Sequence, residues 1–171
     1  LLGAHQIANA SLAVGLVEAL SFYGFDIGAR AIRKGLYNTI WPGRCEVIKK
    51  NPLVVLDGAQ NLASAAALKS AIRDNFKYKN LILVLGISED KDISGVCRTL
   101  NPLAGTVILT RASTPRAANP LKLSGYFGSK VYLTQSVQEA KLLAERIARP
   151  EDLILATGSL FVVGEFRDAQ R

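Results

Sequence analysis

The sequence has 171 residues, of which 49% are hydrophobic and 20% are charged, and it contains no methionine. This composition is that of an ordinary globular chain, so it excludes collagen-like, low-complexity and disordered proteins, and every apolar run is far shorter than the roughly 18 residues of a membrane helix. The formal net charge of +7 favours anionic partners, but the basic residues are scattered without interleaved aromatic residues, which indicates a solvated positive surface rather than a nucleic-acid site.

The first 42 residues predict two helices. Apolar residues recur at helical spacing from residue 4 to residue 23, where Gly24 ends the pattern. Asp26 is predicted as the N-cap of a second helix that runs to Asn38, because its short carboxylate can accept a free backbone N–H. The turn Trp41-Pro42-Gly43 follows. Since two helices cannot build a core of their own, we expect residues 1–42 to be the end of a neighbouring domain, in a chain cut from a longer protein.

From residue 43 to residue 171 the sequence alternates between short apolar runs and amphipathic segments. The apolar runs predict buried strands at residues 52–56, 81–85, 106–110, 130–133 and 152–156. The segments between them predict helices at residues 61–76, 92–100, 120–127 and 136–148. Repeated strand–helix units imply an α/β fold with a Rossmann-like, mostly parallel sheet and helices on both faces. The pattern leaves the state of the apolar segment 160–166 open.

In such a sheet, ligands bind beyond the carboxyl ends of the strands, so the residues just after each strand are the candidates for function. The first strand is followed by Asp57-Gly58-Ala59-Gln60-Asn61. Asp57 stands where a carboxylate can accept hydrogen bonds from a ligand, and it is equally suited to be a structural turn aspartate. Gly58 permits a close backbone approach, and Asn61 can cap the next helix, whose free N–H groups favour anions.

The other strand ends are also polar. The acidic loop with Glu89 and Asp90 is best explained as a solvated loop, with Asp92 as the N-cap of the next helix. Arg111 and Arg116 follow the third strand, where they could hold a phosphate or a carboxylate or simply be solvated. The last strand ends in Thr157-Gly158-Ser159, a small polar turn with hydroxyl and N–H groups facing the crevice.

Several common catalytic motifs are absent. The sequence has no GxxxxGK[ST] phosphate loop, no GxGxxG dinucleotide loop and no GxSxG nucleophile turn. Its one histidine, His5, lies outside the α/β part, which excludes a Ser–His–acid hydrolase there. The two cysteines, Cys45 and Cys97, lie far apart with no histidine nearby, which argues against a disulfide scaffold and a zinc site and favours a reducing, cytoplasmic location.

Four ordered motifs nevertheless carry a resemblance, with Lys91-Asp92 in support. They are Gly3-Ala4-His5-Gln6-Ile7-Ala8-Asn9-Ala10, Trp41-Pro42-Gly43-Arg44, Leu56-Asp57-Gly58-Ala59-Gln60-Asn61 and Thr157-Gly158-Ser159-Leu160-Phe161. Each motif is short, but the ordered set resembles folylpolyglutamate synthase/dihydrofolate synthase, of the Mur ligase superfamily. The resemblance covers essentially the whole chain. It implies that residues 1–42 are the last helices of a central ATPase domain and that residues 43–171 are the C-terminal Rossmann-like domain.

The resemblance implies an ATP-dependent ligase that joins L-glutamate to folate or dihydropteroate through an acyl phosphate. Asn9 would contact ATP, Arg44 would contact its phosphates, and Asp57 would complete the nucleotide contact. The family's phosphate loop and Mg²⁺ ligands would lie upstream of Leu1, so the implied cofactors are ATP and Mg²⁺ while no metal ligand is assigned here. We expect the 171 residues alone to be inactive and monomeric, without a nucleic-acid or membrane partner.

Gln60 departs from the family pattern, which has histidine at this position. Glutamine keeps the capacity for hydrogen bonds but cannot carry charge or transfer a proton. We assign Gln60 and Ser159 to the catalytic region, with Ser159 on the glutamate or folate side. Two alternatives remain open, namely another Mur-type amide ligase, such as a muramyl-peptide ligase, and a non-catalytic nucleotide-binding module.

Overall fold

The first 42 residues form two helices with no buried residue. The computed structural model describes residues 1–128 and 130–168. Helix α1 is Ala4–Ala19, a 3₁₀ turn Leu20–Tyr23 extends it, and Gly24 closes it in the left-handed conformation with φ of 85°. This agrees with the helix predicted over residues 4–23. Helix α2 is Ala29–Tyr37.

The N-cap predicted for α2 was wrong. Gly28, in an extended conformation, takes the capping position, and no side chain caps the helix. Asp26 therefore lies three residues before the first helical residue, Ala29, and its carboxylate does not serve the helix amides. Gly28 enters α2 with φ of −64° and ψ of 150°, an extended conformation open to any residue, and no side chain accepts a helix amide there.

Six strands form one sheet from residue 46 onward. They are Glu46–Lys50 (β1), Leu53–Leu56 (β2), Leu81–Leu85 (β3), Thr106–Leu109 (β4), Lys130–Leu133 (β5) and Leu153–Thr157 (β6). Their order is β1-β2-β6-β3-β4-β5, and every pair is parallel except the antiparallel pair β1–β2. The predicted mostly parallel sheet is confirmed. Because β6 lies between β2 and β3, the carboxyl ends of these three strands open a crevice.

Helices cover both faces of this sheet. They are Leu62–Asn75 (α3), Ile93–Leu100 (α4), Pro120–Ser124 (α5), Val137–Ile147 (α6) and Leu160–Asp168 (α7). Alternate strand residues point to opposite faces, so one core lies under α3, α4 and α5 and a second under α6 and α7. Leu83 of the central strand β3 is fully buried in the first core, and Phe166 of α7 is fully buried in the second.

The structure settles the secondary structure of residues 160–166, which the sequence left open, and contains one strand that was not predicted. The segment 160–166 is helical, and Val162, Val163 and Phe166 are its buried residues. The predicted caps Asn61 and Asp92 do accept backbone N–H groups, from Ser64 and Gly95 respectively. Strand β1 was not predicted, because it is a largely exposed edge strand with two terminal lysines and no buried residue. Residues 129 and 169–171 of the predicted second domain lie outside the described residues.

Candidate active site

A tight turn at residues 43–45 presents Arg44 at the carboxyl edge of the sheet. Gly43 has φ of 70° and Cys45 has φ of 45°, so both flanking residues are left-handed, which is uncommon for a residue with a side chain. The Gly58 N–H donates to the Gly43 carbonyl at 2.9 Å and binds the turn to the segment after β2. This contact fixes the turn on the N-terminal side of Arg44.

Asp57 holds this turn with both carboxylate oxygens. Its Oδ2 accepts the Cys45 N–H at 2.8 Å and its Oδ1 accepts the Ala59 N–H at 2.8 Å. Burial raises the pKa of Asp57 above its ordinary value, against the lowering effect of these two amides and of the nearby Arg44 charge. Asp57 is therefore a structural turn aspartate next to the candidate phosphate-binding arginine, and its contact with a ligand stays a prediction.

The Cys45 thiol is not a nucleophile in this setting. It is buried, and burial together with the Asp57 charge raises its pKa to about 12. The thiol therefore stays protonated at neutral pH. Cys45 contributes its backbone N–H to the site and no reactive sulfur.

The Arg44 side chain is half-buried and unpaired. In residues 1–128 and 130–168 no hydrogen bond or ion pair engages its guanidinium group. The group lies across Gly58, where a Cβ atom would stand 3.0 Å from Nη1 of Arg44 and would also collide with Leu160. Glycine at position 58 therefore makes room for the guanidinium group, which is left free to bind an external anion.

Asn9 shares a cavity of about 700 Å³ with Arg44. The cavity lies between α1, the end of α2 and the turn, and Gln6, Thr39 and Trp41 also line it. Asn9 is exposed on α1 and donates from Nδ2 to Gln6 Oε1 at 3.1 Å. The structure thus brings together two of the three predicted nucleotide residues, from parts of the sequence 35 positions apart. Asp57 does not line this cavity and contacts the turn of Arg44 through the Cys45 N–H.

Gln60 and Ser159 lie on the neighbouring strand ends. Gln60 is half-buried, and its backbone N–H donates to the Ser64 hydroxyl at 3.1 Å. Ser159 is buried, its Oγ accepts the Phe161 N–H at 3.1 Å, and it immediately precedes α7. In the same turn the Thr157 hydroxyl is buried without a hydrogen-bond partner in the described residues. The Ser159 side chain thus has a structural partner already, and Gln60 keeps its side-chain amide for other contacts.

The remaining charged loops are mostly paired among themselves. Glu89 accepts a hydrogen bond from Lys122 at 2.8 Å, and Asp90 accepts one from Arg116 at 2.7 Å. These exposed pairs support the interpretation of a solvated loop. Arg111 is exposed and lines a separate cavity of about 440 Å³, at the other end of the sheet edge from Arg44.

Comparison with known proteins decides the family. A family model described as "Mur ligase, glutamate ligase domain" matches residues 43–160. The chain belongs to the Mur ligase family. This match begins at Gly43, the first residue of the second domain expected from the sequence, and it contains the turn, Asp57, Gln60 and Ser159. Asn9 lies outside it.

Relatives of the whole chain carry more specific names. The chain is 40% identical over 171 residues to a probable bifunctional folylpolyglutamate synthase/dihydropteroate synthase of Haloferax volcanii, covering 98% of this chain and 20% of that protein. It is similar to the solved structure of E. coli FolC in complex with DHPP and ADP, with 30% identity and a TM-score of 0.85. That match covers 95% of this chain and 39% of the FolC chain. A third match is the structure of a bifunctional folylpolyglutamate synthase/dihydrofolate synthase of Yersinia pestis with Mn, AMPPNP and L-glutamate bound. The identity is 26%, the TM-score is 0.79, and the match covers 88% of this chain and 37% of the Yersinia chain.

These matches confirm the resemblance and the fold of this Mur ligase chain. They also show its extent, because the chain spans between one fifth and two fifths of the relatives' length. The described residues contain no cluster of three or more His, Cys, Asp or Glu side chains that could hold a metal ion. In the same residues, no helix combines the length and the apolar character needed to cross a bilayer.

Sequence reasoning missed two residues of the turn's support. The Gly43 N–H donates to Glu46 Oε2 at 2.7 Å, and Arg167 forms an ion pair with the same oxygen. The only local signal was a carboxylate three residues after a glycine turn. Nothing in the sequence indicated that Arg167, which lies 121 positions away, would reach Glu46.

Proposed function

We propose that these residues are the C-terminal part of an ATP-dependent ligase that adds L-glutamate to folate or dihydropteroate. The observation that carries the proposal is the unpaired guanidinium group of Arg44, set in a clamped turn at the mouth of a cavity that Asn9 also lines. A free, oriented guanidinium group suits a phosphate oxygen. ADP in FolC and AMPPNP in the Yersinia relative support a nucleotide as the ligand.

The chemistry that fits this family is carboxylate activation followed by amide formation. The folate carboxylate attacks the γ-phosphorus of ATP, which releases ADP and leaves an acyl phosphate. The glutamate amine then attacks the acyl carbon, loses a proton, and expels inorganic phosphate. Phosphoryl transfer depends mainly on positioning and on positive charge near the transferring group. Arg44 would supply that charge from this domain, and Asn9 would hold the nucleotide from the helical side.

Asp57 acts in this proposal through the turn it holds. Its two oxygens fix the Cys45 and Ala59 amides, so it sets the position of Arg44. Remaining lone pairs of the carboxylate are available to the nucleotide. A divalent ion, such as the Mn bound in the Yersinia relative, would neutralise charge at the phosphates, and we assign no ligand for it within this chain.

Gln60 and Ser159 are proposed for the glutamate or folate side. Gln60 follows β2, which pairs with β6, and Ser159 follows β6 itself. Both residues therefore face the same crevice as Asp57. The Gln60 amide can accept or donate a hydrogen bond to a substrate carboxylate or amine but cannot act as a proton carrier. Ser159 places the first amides of α7 at the crevice, where they favour a carboxylate.

We also propose that residues 1–42 belong to a neighbouring domain. Phe22 and Tyr37 are 89% and 90% exposed, and no residue in this part is buried. Apolar surface of this extent is normally covered. Limited proteolysis tests the proposal: cleavage within residues 1–42 is expected in the 171-residue chain and absent in a complete ligase that carries it. Equal cleavage in both would contradict it.

The activity itself is tested with the complete ligase chain. We expect glutamate- and folate-dependent release of ADP and phosphate, and we expect none from the 171 residues alone. With folate labelled by ¹⁸O in its carboxylate, one label should appear in the released phosphate if an acyl phosphate forms. Turnover with a muramyl-peptide precursor in place of folate would favour the alternative Mur-type ligase, and ATP binding without turnover on either substrate would favour a nucleotide-binding module.

A further inference from the structure

Glu46 lies between the candidate site and the last helix. It is the first residue of β1, and its side chain is 24% exposed. One oxygen, Oε2, accepts the Gly43 N–H at 2.7 Å and also pairs with Nη2 of Arg167 from the last turn of α7. A single carboxylate oxygen therefore joins the end of α7 to the turn that presents Arg44.

The contact to Gly43 completes a set of three around Arg44. Asp57 fixes the amide after Arg44, Gly58 fixes the carbonyl before it, and Glu46 fixes the amide of the residue before it. Gly43 is left-handed and buried, and a Cβ atom there would lie 2.9 Å from Val163. Because glycine has no side-chain preference for a left-handed backbone, the hydrogen bonds on the Gly43 carbonyl and N–H restrict it, and Glu46 supplies the one on the N–H.

The charge of Glu46 requires a partner as well. An unpaired carboxylate two residues from Arg44 would compete with phosphate for the guanidinium group. Arg167 occupies the Glu46 oxygen instead, and Arg44 remains free of ion pairs in the part of the chain that the structure describes. Arg167 therefore both holds Glu46 and neutralises it.

We propose that Glu46 is a positioning residue for Arg44 and that Arg167 holds Glu46 in that role. The link to phosphate rests on the proposed function of Arg44, whereas the effect on the turn does not. Removing Glu46 should loosen the turn, and removing Arg167 should release a carboxylate that can pair with Arg44. Both changes should weaken the same function, for different reasons.

Nuclear magnetic resonance of the 171-residue chain tests the positioning directly. In Glu46→Ala the Gly43 amide should exchange with solvent about tenfold faster or more, and the Arg44 Nε–Hε resonance should shift, while the Leu83 and Leu155 amides keep their protection. Glu46→Gln keeps an acceptor without the charge and should give an intermediate result. The matched control is Glu151→Ala, which removes an exposed pair with Lys79 at the opposite edge. An unchanged Gly43 amide and Arg44 resonance in Glu46→Ala would overturn the proposal.

Kinetics of the complete ligase test the link to Arg44. Glu46→Ala should lower kcat/KM for ATP about tenfold, and the same substitution added to Arg44→Ala should cause little further loss. Independent, additive losses would show that Glu46 acts on folding alone and would overturn the link. If the unchanged ligase adds no glutamate to folate, the proposed function fails, and the resonance data still decide whether Glu46 positions Arg44. Arg167→Ala serves as a second variant if Glu46→Ala does not fold: the released Glu46 carboxylate should shift the Arg44 Nε–Hε resonance, and an unchanged resonance would overturn the proposal.

Discussion

Residues 43–168 and residues 1–42 use apolar side chains in opposite ways. In residues 43–168 they fill two cores on either side of one sheet, and Leu83, Leu155 and Phe166 are fully buried. In residues 1–42 the apolar side chains recur at helical spacing just as regularly, yet Leu12 and Leu16 are 67% and 63% exposed. Helical periodicity thus shows which face of a helix is meant to be covered, but not what covers it. The turn with Arg44 lies where the two regions meet.

The largest expected effect comes from a large-to-small substitution in the core of residues 43–168. Leu83→Ala should lower the free energy of unfolding by about 3–5 kcal/mol, because it leaves a cavity in the core between β3 and the helices α3, α4 and α5. Leu12→Ala on α1 should change it by less than about 0.5 kcal/mol, since that side chain is exposed. Chemical denaturation of the 171-residue chain measures both. Similar losses for the two variants would contradict the contrast between the regions.

The core of residues 43–168 was also the part of the fold that the sequence predicted best. Leu81–Leu85 is a continuous apolar run, and a strand buried on both faces has few other sequences available to it. Strand β1 escaped prediction because an exposed edge strand carries no such run. The cap at Asp26 was wrong because Gly28 begins the helix through its backbone conformation, which no side-chain rule captures.

For the site, the sequence predicted residues and missed their connections. The strand-end rule and the motifs together selected Arg44 and Asp57, and the structure connects them, because Asp57 accepts the Cys45 N–H of the turn that presents Arg44. The support from Glu46 and Arg167 could not be predicted, because it depends on how α7 packs against β1, far apart in the sequence. The roles of Asn9, Gln60 and Ser159 in binding and catalysis stay predictions.

A smaller effect should follow from filling the space beside Arg44. Gly58→Ala would bring a Cβ atom against Leu160 and Arg44, so we expect a loss of about 1–3 kcal/mol in the free energy of unfolding and a displaced guanidinium group. Gly164→Ala in α7 is the matched control, because nothing lies within 4 Å of its added Cβ. That control should be neutral or slightly stabilising. A harmless Gly58→Ala would show that the guanidinium group does not need the space.

The smallest effect is a dependence on pH at Asp57. Because its pKa is raised in the folded chain, the folded state binds more protons than the unfolded state from about pH 4 upward. The free energy of unfolding should therefore fall, relative to an Asp57→Asn variant, as pH rises through the folded pKa. Denaturation of both proteins across this range measures the difference. A difference that grows with pH would mean that the two amides and Arg44 outweigh burial.

The central claim is that Arg44 contacts the phosphates of ATP at the meeting point of the two regions. Its most direct test is the turnover of the complete ligase with Arg44→Ala, with Arg98→Ala on the exposed side of α4 as the control. We predict a fall in kcat of about 10²–10³, the usual result of removing one charge-stabilising donor, and no change in the control. Unchanged turnover in Arg44→Ala would contradict the account.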